Sequence, residues 1–466
     1  MPKQRTVFVC SECGAGQPKW VGQCPECRAW NTLARLTVGG GGEDGVDGRW
    51  REAGAGPREA IPLSRVPTEP VARIQLGIGE FDRVLGGGVV PGSVVLLGGE
   101  PGIGKSTLIF QAAAHLAEVR APVLYISGEE SAEQIKLRAE RMGITSDQLY
   151  LLAETDMGAI AEALHKLRPQ AMVVDSIQTM VLTELASSAG SVTQVRECAA
   201  RFMQWAKSDG HVPVFLVGHV TKSGDLAGPR VLEHMVDVVL YLEGDRFHSF
   251  RLLRGVKNRY GSTNEVGVFE MHGEGLIEIT NPSEAFLAER LAGVPGSAVT
   301  VSLEGSRPLL VEVQALVSTS GLQIPRRTAN GIDLNRLILL SAVLAKRLSL
   351  GLGNQDVFVN VIGGLKIAEP AVDLAVATAI YSSARSVPIA ENLVTIGEIG
   401  LSGELRSVSQ LERRLAEAAN LGFSHALVPA TALKHLRPVP GIRAIGARTV
   451  AEALDVALDD GGGSSS

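Results

Sequence analysis

Gly99-Glu100-Pro101-Gly102-Ile103-Gly104-Lys105-Ser106 matches the phosphate-binding pattern G-x-x-x-x-G-K-[ST] at every fixed position. Before it, Ser93-Val94-Val95-Leu96-Leu97 is apolar and short enough for a buried strand; after it, Leu108 to Leu116 supplies a helix. Such a loop holds phosphate with backbone N–H groups, so glycine is needed where a side chain would obstruct the curl. The helix N-terminus that follows favours the anion. Lys105 is expected to reach the β and γ phosphates and the Ser106 hydroxyl to sit on Mg²⁺, with Thr107 completing the loop. ATP and Mg²⁺ are the cofactors this stretch implies.

Downstream, Val123-Leu124-Tyr125-Ile126-Ser127 reads as a further strand and runs into Gly128-Glu129-Glu130-Ser131. A carboxylate just past a strand end lies at the sheet edge where ligands bind, which makes Glu129 the candidate for polarising an attacking water. Ala171-Met172-Val173-Val174-Asp175 ends in a carboxylate suited to holding Mg²⁺ through water. Val214 to Gly218 then leads to His219, a polar residue at a strand end and a candidate sensor of the γ phosphate. Val195, Cys198, Phe202 and Trp205 recur at helical steps, which makes Cys198 a core residue and not a reactive thiol. Short apolar runs alternating with helical patterns make residues 71–282 an α/β domain with a mostly parallel sheet.

Four of the five cysteines fall in the first 27 residues, as Cys10-x-x-Cys13 and Cys24-x-x-Cys27. Two such hooks place four thiolates tetrahedrally, so residues 1–38 read as a zinc knuckle; iron in the same geometry and a redox pair are the alternatives, with zinc preferred. Lys19, Trp20, Arg28 and Trp30 offer cations and aromatic faces for nucleic acid or protein. Residues 39–70, rich in Gly and dotted with Pro, read as a flexible linker. A net charge of −6 gives no global sign of nucleic-acid binding, so any such surface is local. No run of eighteen apolar residues suggests a membrane span and no signal-peptide stretch opens the chain, so a cytoplasmic protein without membrane contact is expected.

The order of phosphate loop, Ser-Gly-Glu-Glu-Ser, Val-Val-Asp-Ser and Gly-His-Val-Thr-Lys resembles the RecA-type ATPase core. Gly128 to Gln134 is also similar to the matching segment of DnaB-type hexameric helicases. Lys257-Asn258-Arg259-Tyr260-Gly261 resembles the signature of the bacterial RadA/Sms family, usually Lys-Asn-Arg-Phe-Gly, with Tyr260 keeping the aromatic ring. The resemblance implies that Lys257 and Arg259 reach into a neighbouring subunit's nucleotide site; from spacing alone they read as solvated residues of an edge strand. Two polar loops, Ser187 to Ser191 and Lys222 to Arg230, are candidates to face a central channel. Lys222 and Arg230 are either DNA contacts or ordinary solvated loop charges.

Residues 283–458 read as a second α/β unit, with strands at Ala298–Leu303 and Pro308–Val313 and a helix over Leu337–Leu350. Ile396-Gly397-Glu398-Ile399 and Gly403-Glu404-Leu405 make this unit look like the proteolytic domain of Lon. Where Lon carries its serine, this chain has Pro370-Ala371-Val372-Asp373, and Glu412 stands at the lysine position, so the dyad is missing and peptidase activity is not expected. Arg326, Arg327, Lys346, Arg347 and Lys366 are candidate basic contacts or solvated faces. Residues 459–466 read as a disordered tail.

The expected fold is thus α/β: a four-cysteine zinc knuckle, a RecA-like P-loop core and a Lon-like domain lacking the dyad. Membership of the RadA/Sms family implies a DNA-dependent ATPase forming a homo-hexameric ring. It implies branch migration on single-stranded and branched DNA, with RecA recombinase as partner. The rival readings are an ATP-switched scaffold that loads repair partners and, against the missing dyad, an ATP-driven protease.

Overall fold

The computed structural model describes residues 5–10, 16–26, 28, 30, 33–38, 62–65, 72–207, 211–219, 229–244 and 250–458. Cys13, Cys27, Lys222, nearly all of the expected linker and the 459–466 tail lie outside the described residues. Strands β1 (Arg5–Cys10), β2 (Gly16–Gln17) and β3 (Leu33–Val38) form an antiparallel ribbon in the order β2-β1-β3.

Apart from Phe250, which groups with the second, the described residues divide into two compact units at the Glu278–Ile279 step. In the first, β4 (Val94–Gly99), β5 (Val123–Ser127), β6 (Leu149–Ala153), β7 (Ala171–Asp175), β8 (Val214–Val217) and β9 (Val238–Glu243) run parallel. Strand β10 (Phe250–Asn258) pairs antiparallel with β9, and β11 (Val266–His272) and β12 (Gly275–Glu278) form a hairpin beyond it. The sheet order is β12-β11-β10-β9-β4-β8-β7-β5-β6. Strand β10 is therefore internal, and the edge-strand reading of Lys257 and Arg259 does not hold: the β11–β12 hairpin covers the side that spacing left open.

Alternation along the strands sorts the core into two layers. Val95 and Leu97 pack with helices α1 (Gly79–Leu85), α2 (Lys105–Val119) and α3 (Ala132–Arg141). Val94 and Leu96 pack with α4 (Met157–Leu167), α5 (Val192–Ala206) and α6 (Pro229–Met235). Helix α3 starts at a capping box, with the Ser131 hydroxyl accepting from Gln134 N and the Gln134 side chain answering the Ser131 N–H.

Cys198 lies in the second layer, fully buried on α5, as its helical spacing indicates. Burial pushes its thiol up to about 12. It should therefore resist iodoacetamide at pH 8 in the native protein and react on unfolding in urea, as read by peptide mass. Because the folded value is raised, Cys198 has no pH effect below its ordinary value; it costs stability as pH rises from there towards 12, where only the unfolded thiol ionises.

In the second unit, β13 (Ser297–Glu304), β14 (Arg307–Thr319), β15 (Arg327–Asn330), β16 (Gln355–Val361), β17 (Leu393–Thr395), β20 (His425–Pro429) and β21 (Arg443–Ala447) form a mixed sheet in the order β15-β16-β14-β13-β17-β20-β21. Strands β18 (Glu398–Ile399) and β19 (Leu405–Arg406) make a separate hairpin. Helices α8 (Leu334–Arg347), α9 (Asp373–Arg385) and α11 (Val450–Ala457) cover one face, and α10 (Leu411–Asn420) the other. Helix α7 (Pro282–Leu287) is capped by Asn281, so a domain boundary after residue 282 would cut through it.

Helix α8 begins three residues before the expected Leu337 because Asp333 accepts from Arg336 N and caps it there. Arg414 of α10 is fully buried, paired with Glu369 and donating to the carbonyls of Val301 and Ser409. Glu369→Ala strands that cation and should destabilise this unit by about 3 kcal/mol, read by urea denaturation. Among the described residues no helix is long and apolar enough to cross a membrane.

Candidate functional site

The phosphate loop leaves the C-terminal end of β4. Gly99 and Gly104 take φ of 153° and 111°, and a Cβ at Gly99 would stand 2.5 Å from the Leu242 carbonyl oxygen, so side chains are excluded there. Lys105 opens α2; its Nζ is buried and donates to the carbonyls of Gly99 and Glu100 at 2.9 Å each. Burial pulls this amine down to about 8, against the opposing pull of Asp175 and Glu129. Ser106 and Thr107 are half-buried on the first turn, within the helix start that attracts an anion. Beneath the loop, buried Arg251 at the start of β10 donates Nε to the Ile103 carbonyl at 3.2 Å. Its only signal in the sequence is a cation inside the apolar run Phe250-Arg251-Leu252-Leu253.

Parallel pairing puts the ends of β5 and β7 side by side, with Ser127 opposite Asp175. Asp175 is buried and accepts from the Tyr125 hydroxyl at 2.6 Å. Burial, followed by the Asp175 charge, pushes the phenol well above its usual range, so it stays a donor and fixes the carboxylate. Glu129 Oε1 accepts from Ser176 Oγ at 2.5 Å and lies 3.1 Å from His219 Nε2. The structure thus brings Lys105, Glu129, Asp175 and His219 to one edge of the sheet. A carboxylate for water, a second for a hydrated cation, an ammonium and a row of loop N–H groups together suit phosphoanhydride hydrolysis.

Lys257 and Arg259 sit elsewhere. Leu252 of β10 is opposite Glu243 near the phosphate loop, whereas Asn258 is opposite Val238, itself paired with Val95 at the start of β4. At ~3.3 Å per residue that separates them from their own loop by on the order of 13 Å of strand. Lys257 Nζ donates to the carbonyls of Glu233, His234 and Val236 at the C-terminal end of α6, at 2.7, 3.2 and 2.8 Å. Burial and then Arg259 pull its amine down. Arg259 Nη1 lies 3.1 Å from Asp237 Oδ1, with half its side chain exposed. Arg230 falls in the first turn of α6.

A family model described as an AAA domain matches residues 62–225, one described as a rubredoxin metal binding domain residues 8–35, and one of subunit ChlI of Mg-chelatase residues 339–432. The DNA repair protein RadA of Bacillus subtilis (strain 168) is 51% identical over 98% of this chain and 100% of its own length. That of Listeria monocytogenes is 49% identical over 98% and 99%. That of Streptococcus pyogenes serotype M1 is 50% identical over 98% and 99%. The chain belongs to the RadA/Sms family. Its architecture is that of RadA/Sms: zinc ribbon, P-loop ATPase domain and a C-terminal region like ChlI and Lon.

At the Lon dyad position this RadA/Sms chain has buried Ala371 and Val372 before α9, and Glu412 is exposed on α10. Asp373 is held by Arg336 and by the Ile399 N–H, so the segment is braced as structure. Of the basic candidates here, Arg326 pairs with Asp356 and Arg327 donates to the carbonyls of Gln355 and Leu352, while Lys346, Arg347 and Lys366 are exposed. In the ribbon, Cys10 ends β1, and buried Cys24 heads a turn closed by Arg28 N–H to its carbonyl at 2.9 Å. A buried thiol on a tight Cys-x-x-Cys turn fits a thiolate metal site, and the rubredoxin-type match spans all four cysteines.

Proposed function

We propose that this RadA/Sms chain is a DNA-stimulated ATPase of DNA repair that works as a homo-hexameric ring. It moves along single-stranded DNA and promotes branch migration of recombination intermediates in partnership with RecA recombinase, in the cytoplasm. One observation carries the reading: Lys257 and Arg259 lie at the end of the sheet remote from their own phosphate loop. Cations so placed can serve a nucleotide only in a neighbouring subunit, where they would stabilise charge on the transferring phosphoryl group.

Within each site Lys105 and the loop N–H groups bind the phosphates, Ser106 and Asp175 hold Mg²⁺, which supplies charge neutralisation at the phosphates, Glu129 orients water and His219 senses the γ phosphate. Zinc, held by Cys10, Cys13, Cys24 and Cys27, shapes the ribbon. Lys222 and Arg230 contact DNA. Lys257 is anchored on α6, the helix that contains Arg230, which supports a link between DNA contact and finger position.

The test is a three-strand junction carrying a labelled strand, incubated with protein and ATP. Strand transfer that requires hydrolysable ATP is the expected result; junctions that stay fixed while ATP is consumed would remove the motor reading.

A further inference from the structure

Ser176 is absent from the roles assigned so far, yet it makes the shortest polar contact to Glu129. Its Oγ lies 2.5 Å from Glu129 Oε1, and His219 Nε2 lies 3.1 Å from the same oxygen. A carboxylate oxygen engaged by two donors is fixed in direction.

Both donors are tied to one short turn. The Ser176 carbonyl accepts from Thr179 Oγ1 at 2.7 Å and from Thr179 N at 3.2 Å, closing the 3₁₀ turn Ile177–Thr179. Gln178 on that turn donates Nε2 to the His219 carbonyl at 3.4 Å. The turn runs directly into the polar loop before α5. Fully buried Gln194 grips that loop from beneath, accepting from Leu182 N and donating to the carbonyls of Leu182 and Ser187. Two atoms of the clasp, His219 Nδ1 and Gln178 Oε1, are buried with no hydrogen-bond partner among the described residues. A clasp with unsatisfied polar atoms is suited to exchange with a second arrangement.

We propose that Ser176 is a positioning residue that holds Glu129 parked, and that displacement of the loop up to Ser191 by a single strand draws the turn away and frees the carboxylate. The idea rests on Glu129 being the group that orients water, and it adds the reason why turnover waits for DNA. A strand on the loop acts through Ile177–Thr179 on both donors together.

The experiment measures steady-state ATP turnover of the full chain with and without a single-stranded oligothymidylate, for wild type, Ser176→Ala, Thr179→Val and Glu129→Gln. Ser176→Ala is expected to raise the DNA-free kcat about tenfold, the rate equivalent of one charge-assisted hydrogen bond. Its KM for ATP and its DNA-stimulated rate should stay near wild type, so the stimulation ratio collapses. Thr179→Val, which loosens the turn without touching Glu129, should move the DNA-free rate the same way by less. A purely structural role would lower both rates together; that result, or unchanged DNA-free rates in both variants, overturns the proposal. If Glu129→Gln keeps its turnover, the water-orienting reading fails and the clasp with it. If Glu129→Gln is inactive while the other variants keep the wild-type ratio, the clasp alone fails.

Discussion

Glu129→Gln is expected to lower ATP turnover about a thousandfold with ATP affinity close to normal, the loss typical of removing a positioned general base. The carboxylate lies past the end of β5, where it accepts from Ser176 and faces His219, so the amide leaves the backbone of Gly99 to Thr107 in place. Glutamine is isosteric and partly exposed there, so folding should be preserved. Rapid-quench turnover together with binding of a fluorescent ATP analogue reads the two quantities separately. A turnover within a few-fold of wild type would transfer the role to another group, with His219, 3.1 Å from the carboxylate, the candidate.

Arg259→Ala is expected to have an effect of similar or greater size, on the order of a thousandfold or more, as for a cationic finger supplied in trans. Stability should change by at most about 1 kcal/mol, because the Arg259 side chain is half-exposed and the buried Asp237 keeps other partners. Asp237 also retains Lys207 at 3.8 Å and the Val94 N–H at 3.1 Å. The informative version mixes two inactive proteins. Arg259→Ala subunits keep a sound phosphate loop, and Lys105→Ala subunits keep a sound finger. Mixing them should restore a fraction of the activity if Arg259 acts across a subunit boundary and none if it acts within its own chain.

Local patterns made much of the nucleotide site legible. The phosphate loop is specified by glycine and lysine at fixed offsets, and Glu129 and Asp175 by their positions just after or at the end of apolar runs. These depend on a few consecutive residues. The groups that hold them do not: Ser176 meets Glu129 across 47 positions and Tyr125 meets Asp175 across 50. Both pairings come from the parallel register of β5 and β7, which no local spacing encodes. Tyr125 reads as an ordinary strand aromatic, and Arg251 as an irregularity in an apolar run.

The same limit explains the placement of Lys257. From spacing alone its strand reads as an edge, because nothing in residues 250–260 announces that Val266 to Glu278 folds back as a hairpin on that side. In the second unit, β14 continues to Thr319, well past the expected Val313. Residues Val313 to Thr319 pair with β16, a partner some forty residues later. Arg414 was legible only as part of a charged run, yet it is the most deeply buried cation of that unit, since Glu369 lies beside it only in the folded chain.

The most direct test of the whole account is the rate of ATP hydrolysis with and without single-stranded DNA across a salt series. A DNA-coupled ring gives strong stimulation that fades as salt rises, because phosphate contacts by loop cations release counterions, and that disappears in Arg259→Ala. Hydrolysis indifferent to DNA at every salt concentration would contradict it and favour a nucleotide-switched scaffold.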